Sequence, residues 1–123
     1  MKDFNKKILI IDDEEPLREI ITEVIEIMDL NGISAASGQE AITIFDEQKD
    51  DIGLIILDLY MPGLSGHDTY KRINEIKQNV PVIFMSGYDD QDTENQLTSD
   101  VKSTFLKKPF TLNEIKASIE SLI

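Results

Sequence analysis

The chain has 123 residues, of which 41% are hydrophobic, and this suits one compact domain with a sizeable core. It contains no cysteine, which excludes disulfide bonds and thiolate metal sites. Its formal net charge of −12 disfavours direct binding to nucleic acid or to an anionic membrane surface.

The first predicted elements are a strand and a helix. The segment KILIID (7–12) is short and apolar, as a buried parallel strand would be. Apolar residues then recur at helical spacing over 17–28, after Pro16, which suits a first helical turn. We expect Asn31-Gly32 to end this helix as a C-cap.

The middle of the chain continues the alternation of strands and helices. GISAA (32–36) and GLIILD (53–58) predict the second and third strands. SGQE, which begins at Ser37, has the Ser-x-x-Glu form of a capping box and predicts the start of a second helix. A third helix is predicted to begin near Ser65 and to carry Ile73 on its inward face.

The last part of the chain adds two strands and two helices. PVIFMS (81–86) and STFLK (103–107) predict the fourth and fifth strands. DDQDTENQLTSDVK (89–102) predicts only a short fourth helix, because it offers two apolar anchors and is otherwise polar. TLNE, which begins at Thr111, is a second capping box and predicts the start of the fifth helix.

These elements predict an α/β fold. Strand and helix alternate five times, and no Gly/Ser-rich linker or internal repeat interrupts them. Such a pattern favours a five-stranded parallel sheet flanked on both faces by five helices. We expect the flavodoxin-like strand order 2-1-3-4-5, in which ligands bind beyond the carboxyl ends of the strands.

Polar side chains collect at those strand ends. Asp12 and Asp13 follow the first strand, Asp58 ends the third, Ser86 ends the fourth, and Lys108 follows the fifth. Three carboxylates at one edge repel each other, by about 1 kcal/mol per pair at 4 Å even in water, so we expect a cation there. Oxygen ligands without histidine or cysteine favour Mg²⁺, with Mn²⁺ as an alternative ion.

The same cluster has the parts needed for phosphoryl transfer. A metal ion neutralises charge, while the Lys108 ammonium and a hydroxyl group can contact phosphoryl oxygens. A carboxylate can act as the nucleophile. We predict that Asp58 is this nucleophile, because it lies between the metal-binding strand and the strands that carry the hydroxyl and the ammonium.

Four segments carry a family resemblance, namely ILIIDDEEP, LIILDLYMPG, VIFMSG and FLKKPF. In their order and spacing they resemble the receiver domain of two-component response regulators, and the resemblance covers essentially the whole chain. It implies the receiver fold and a phosphoacceptor switch in a two-component system or phosphorelay. Such a domain is not a conventional enzyme, since it catalyses only its own phosphorylation and dephosphorylation.

The resemblance also implies a role for each matching residue. The phosphoacceptor, the metal-binding acids, the lysine that pairs with the phosphoryl group and the two switch residues all have counterparts here. Asp58 matches the phosphoacceptor, and Asp12 and Asp13 match the metal-binding acids. Lys108 matches the lysine, and Ser86 and Phe105 match the two switch residues. The backbone carbonyl of Tyr60 matches the remaining protein ligand of Mg²⁺.

Two tyrosines match positions that tune the lifetime of the phosphate in this family. Tyr60 stands two residues after the acceptor, and Tyr88 stands two residues after the switch hydroxyl. We expect both rings to shield the phosphorylated side chain from water. The Lys108-Pro109 bond is similar to one that family members commonly hold in the cis form.

Three other functions compete with a phosphoacceptor. A flavodoxin-like carrier would share the fold, but it needs a hydroxyl- and Gly-rich phosphate loop after the first strand, where DDEEP (12–16) would repel a phosphate. A phosphorylation-independent scaffold or interaction module would be expected to lack one of the acids or the lysine, whereas all are present. An aspartate-nucleophile phosphohydrolase shares the chemistry, but it usually needs a second acid two residues after the nucleophile, where this chain has Tyr60.

The resemblance implies partners and a location as well. The phosphodonor would be a sensor histidine kinase or a histidine phosphotransfer protein, and phosphorylation would remodel the face formed by the fourth helix, fifth strand and fifth helix for a downstream target. We expect residues 1–123 to form a single receiver domain without an output domain. No apolar run approaches the ~20 residues that span a bilayer and no signal peptide is evident, so we expect a cytoplasmic protein.

Overall fold

The structure is a computed structural model and describes residues 4–87 and 102–123. Its strands are β1 (Lys7–Ile11), β2 (Asn31–Ala35), β3 (Ile52–Asp58), β4 (Val82–Ser86) and β5 (Ser103–Lys107). The helices within the described residues are α1 (Glu15–Ile27), α2 (Gly38–Gln48), α3 (Gly66–Ile76) and α4 (Leu112–Leu122). No helix among these residues combines the length and apolar character needed to cross a membrane.

The five strands form one parallel sheet in the order β2-β1-β3-β4-β5. The strand order confirms the sequence prediction, and every strand end lies within one residue of its predicted position. The helix α4 is the fifth helix of that prediction. The predicted fourth helix, built around Leu97 and Val101, lies outside the described residues.

Helices cover both faces of the sheet, and each face has its own hydrophobic cluster. Leu9 of β1 packs in the first cluster with Phe45 of α2 and Ile73 of α3. The next residue, Ile10, packs in the second cluster, which includes Ile25 of α1 and three buried residues of α4. Because neighbouring residues of a strand point to opposite faces, a strand buried on both faces is apolar throughout, as the sequence indicated.

Side-chain caps determine where three helices begin. Ser37 accepts a hydrogen bond from the backbone N–H of Glu40 at 3.1 Å, and Ser65 accepts one from the N–H of Asp68 at 3.2 Å. Thr111 forms the complete capping box with Glu114, in which each side chain accepts from the backbone N–H of the other. These contacts satisfy exposed amides in the first helical turn and confirm the predicted starts.

The predicted end of the first helix is wrong by several residues. The chain leaves α1 through Asp29, whose φ of 60° lies in the left-handed region. The N–H of Asp29 donates to the carbonyl of Glu26, and the N–H of Leu30 donates to that of Ile25, which is the Schellman pattern of a helix end. Asn31 is therefore free to pair with Lys7 at the start of β2 instead of capping the helix.

Candidate functional site

Three acidic residues meet at the carboxyl ends of β1 and β3. Asp12 is fully buried directly after β1, Asp58 is buried as the last residue of β3, and Asp13 is exposed. One carboxylate oxygen from each lies within 4.8 Å of the others. Parallel strands bring these distant acids together because their carboxyl ends share one edge of the sheet.

Lys108 enters this acidic cluster from the segment that follows β5. Its Nζ atom lies 2.9 Å from Oδ2 of Asp12 and 3.2 Å from Oδ2 of Asp58. Its backbone N–H donates to the carbonyl of Ser86 at 2.7 Å, which ties the segment to the end of β4. The Lys108-Pro109 peptide bond is cis, as the family resemblance implied. The neighbouring Lys107 is exposed, whereas Lys108, the lysine that the sequence predicted for the site, contacts both carboxylates.

Backbone amides orient both buried carboxylates. The N–H of Glu14 donates to Oδ1 of Asp12 at 2.8 Å, and the N–H of Tyr60 donates to Oδ1 of Asp58 at 3.2 Å. In each case the other oxygen of the carboxylate is the one that contacts Lys108. The carboxylates are thereby held in defined orientations by short-range contacts within their own loops.

The electrostatics of the site are set by burial and by opposing charges. Burial raises the pKa of Asp58; the attraction of Lys108 and the N–H of Tyr60 oppose this, and the repulsion of Asp12 adds to it. Burial acts to lower the pKa of Lys108, but hydrogen bonds to Asp12 and Asp58 and their charges outweigh it, so that the pKa is raised. Among the residues that the structure describes, three carboxylates thus lie near one ammonium, which leaves an excess of negative charge.

The donor set fits a hard divalent cation. All three side chains offer carboxylate oxygens within reach of one ion, and these are the ligands that Mg²⁺ prefers. The excess negative charge of the cluster also favours a bound cation. The acidic cluster is therefore able to bind a metal ion, whereas its exact ligand set, including the carbonyl of Tyr60, stays a prediction.

Three other predicted site residues lie on β4, on β5 and in the segment that follows β3. Ser86 is fully buried at the end of β4, and Phe105 is partly buried on β5 opposite Phe84 of β4. The side chain of Tyr60 is 46% exposed directly beyond β3. Tyr88 lies outside the described residues. The roles assigned to these residues from the family resemblance stay predictions.

Two further residues support the site and were not identified from the sequence. Nη1 of Arg18 donates to the backbone carbonyl of Asp12 at 2.8 Å and so ties α1 to the acidic loop. Gly66, the first residue of α3, lies against the peptide that follows Asp58. The sequence shows Arg18 only as a basic residue one turn into the first helix, and Gly66 only as a glycine next to an N-cap serine. Both features are common in proteins without such a site.

Comparisons with known proteins agree with this geometry. The chain matches the family of response regulator receiver domains over residues 8–120. Sporulation initiation phosphotransferase F of Bacillus subtilis is 31% identical over 119 residues, which are 97% of this chain and 94% of that protein. Several other curated relatives are longer, and the chain spans 15% to 52% of their length.

Solved structures give the same result. A receiver domain protein from Clostridium thermocellum has a TM-score of 0.87 and 32% identity, with 96% of this chain and 94% of that one covered. TrrA from Thermotoga maritima, solved in complex with Mg²⁺ and BeF, has a TM-score of 0.82 and 29% identity, covering 96% and 99% of the two chains. These relatives do not favour the scaffold or the phosphohydrolase alternative. The chain belongs to the response regulator receiver domains, the phosphoacceptor switches of two-component signalling.

Proposed function

We propose that Asp58 is the residue that accepts the phosphoryl group. The donor is a phosphohistidine of a sensor histidine kinase or of a histidine phosphotransfer protein. A carboxylate oxygen of Asp58 forms a bond to phosphorus as the P–N bond breaks, and the histidine nitrogen leaves with the electron pair and is then protonated. The observation that carries this proposal is the position of Lys108 between Asp12 and Asp58, which supplies a cation next to the nucleophile.

The remaining residues prepare Asp58 for this reaction. The ammonium of Lys108 is close enough to exchange its contact with Asp58 for one with a phosphoryl oxygen, and the Ser86 hydroxyl offers a hydrogen bond to another. Asp12, Asp13, Asp58 and the carbonyl of Tyr60 would hold the metal ion. Bound Mg²⁺, or Mn²⁺ in its place, neutralises charge on the carboxylates and on the transferred phosphoryl group.

The domain also catalyses the loss of its phosphate. Water attacks phosphorus, the bond between phosphorus and the Asp58 oxygen breaks, and the carboxylate and inorganic phosphate are released. The groups that stabilise charge during phosphorylation also act in this hydrolysis. The substrate is the phosphorylated domain itself, so the chain turns over no separate metabolite. Tyr60 and Tyr88 limit the access of water and thereby lengthen the lifetime of the phosphorylated state.

Phosphorylation is a local change of charge that favours one of two conformations. It replaces the single negative charge of the Asp58 carboxylate by the about 1.5 to 2 negative charges of a phosphoryl group, and it adds new hydrogen-bond acceptors. Ser86 moves toward the phosphate and Phe105 turns inward, which remodels the face that includes β5 and α4 for a downstream protein. We place this single receiver domain in the cytoplasm, and its net charge of −12 argues against direct contact with nucleic acid or membrane.

Intact mass spectrometry tests the proposal. The protein is incubated with acetyl phosphate in the presence of Mg²⁺ and, separately, of EDTA. We expect one added phosphoryl group that requires Mg²⁺ and that is absent from Asp58→Asn. An adduct that persists in Asp58→Asn would assign the acceptor to another residue. No adduct on the wild type, at times short enough to capture a rapidly hydrolysed product, would contradict the proposal.

A further inference from the structure

Gly66 contacts the backbone that carries Asp58 so closely that no side chain fits between them. It is the first residue of α3 and is buried, and its N–H donates to the carbonyl of Leu59 at 3.0 Å. A Cβ atom at Gly66 would lie 2.6 Å from Cα of Leu59 and 3.0 Å from the carbonyl carbon of Asp58, and closer still to the Asp58 carbonyl oxygen. All three are backbone atoms, which cannot swing aside as the end of a side chain can.

An alanine at this position must therefore increase the separation between the start of α3 and the peptide after Asp58. Ordinary contact begins at 3.4 Å, so a separation of 2.6 Å requires a shift of about 0.8 Å. On the opposite side, the N–H of Leu59 donates to the carbonyl of Met85 in β4 at 2.9 Å. The peptide is thus held between β4 and the start of α3, and a shift at Gly66 strains a hydrogen bond of the sheet.

We propose that Gly66 is a positioning residue for phosphoryl transfer to Asp58. Its lack of a side chain lets α3 begin directly against the Asp58–Leu59 peptide and so fixes the carboxylate relative to Lys108, 3.2 Å away. The inference rests on the proposed role of Asp58 as the acceptor. Gly66 itself does not touch the phosphoryl group and acts only through the backbone of Asp58.

Gly38 provides a matched control for general damage to α3. It is buried at the start of α2, and a Cβ atom there would collide with the Oγ1 atom of Thr69 in α3 and lie 3.1 Å from Cβ of Leu64. Both neighbours are side-chain atoms, and none belongs to Asp58. Gly38→Ala therefore strains the packing of α3 one turn from Gly66 without pushing on the acceptor.

The rate constant of phosphorylation by acetyl phosphate with Mg²⁺ distinguishes the two variants. It is measured by intact mass at a temperature at which circular dichroism shows each variant to be folded. A misplacement near 1 Å can slow a reaction by up to about a hundredfold, so we expect Gly66→Ala to be about 10- to 100-fold slower than wild type. Gly38→Ala should keep the wild-type rate constant. Equal losses in both variants, or no loss in Gly66→Ala, would overturn the inference.

Hydrogen exchange supplies a readout that does not depend on the reaction. In EDTA, the Leu59 amide should exchange faster in Gly66→Ala than in wild type and Gly38→Ala, because its bond to Met85 is strained. If Gly66→Ala does not fold, the inference is tested on the wild-type protein. Its Gly66 amide should resist exchange, and the resonance of that amide should shift on phosphorylation. An unprotected or unshifted Gly66 amide counts against the inference.

The outcomes separate this inference from the proposed function. A wild-type protein that gains no phosphoryl group, or an Asp58→Asn variant that still gains one, overturns the proposed acceptor and with it the role of Gly66. If wild type and Gly66→Ala are phosphorylated at Asp58 at the same rate, only the role of Gly66 is overturned.

Discussion

The ammonium of Lys108 lies 2.9 Å from the carboxylate of Asp12, a residue 96 positions earlier in the chain. The same ammonium lies 3.2 Å from Asp58, so a single cation offsets the charge of two buried carboxylates. Removing one member of a buried ion pair is costly, because the remaining charge keeps its desolvation penalty without its partner.

Lys108→Met should therefore destabilise the protein strongly. We expect the free energy of unfolding in EDTA at neutral pH to fall by on the order of 3 kcal/mol, measured by urea denaturation. The matched control is Lys107→Met, which removes an exposed charge from the neighbouring position and should cost less than about 1 kcal/mol. Equal effects of the two substitutions would show that the contacts of Lys108 contribute little to stability.

Asp58→Asn should have the opposite effect on stability. Burial raises the pKa of Asp58, so the folded state holds the proton of this group more tightly than the unfolded chain does. The stability that this group contributes is fully present below the unfolded-state pKa of 3.8 and is lost as the pH rises through the folded-state value. An asparagine avoids that loss.

We therefore expect Asp58→Asn to be more stable than wild type at neutral pH in EDTA. The difference in unfolding free energy should shrink as the pH is lowered towards the unfolded-state pKa of 3.8, because the wild-type carboxyl takes up its proton first in the folded state. Urea denaturation of both proteins across this pH range is the measurement. A difference that grows as the pH falls would contradict the raised pKa of Asp58.

The lifetime of the phosphorylated protein should depend on two tyrosines. Tyr60 follows Asp58 by two residues and is 46% exposed, so its ring can lie over the acceptor without being part of the core. We expect Tyr60→Asn and Tyr88→Asn each to shorten the half-life of the phosphoprotein, because a smaller polar side chain admits water. The half-life is followed by intact mass after removal of acetyl phosphate. An unchanged half-life in both variants would refute the shielding role.

Tyr70 should make the protein sensitive to alkaline pH. Its hydroxyl donates to the carbonyl of Val80 at 2.9 Å, and burial raises its pKa from 10.0 to about 12. The contribution of Tyr70 to stability is fully present below pH 10.0 and is lost as the pH rises towards about 12. We expect Tyr70→Phe to weaken this decline in urea denaturation, whereas Tyr60→Phe, at an exposed position, should retain it.

Much of the fold could be predicted because its signals are local. A continuous apolar run such as Leu54–Leu57 predicts a strand buried on both faces, whatever surrounds it. The Thr111 and Glu114 capping box works through contacts three residues apart, and it appears in the structure as predicted. The end of α1 was less predictable, since Asn31 can either cap a helix or begin a strand, and its pairing with Lys7 decided the outcome.

The sequence by itself determined the alternation of strands and helices, the family and the acids at the strand ends, because periodicity and motif spacing are properties of the chain alone. The strand order was an expectation from the fold class, which the sheet confirms. Only the tertiary structure decided that Lys108 contacts both Asp12 and Asp58, and that Gly66 leaves no room beside the Asp58 peptide. These relationships depend on distances of a few ångströms between atoms far apart in the chain, and burial rather than residue type decides how strongly such charges interact.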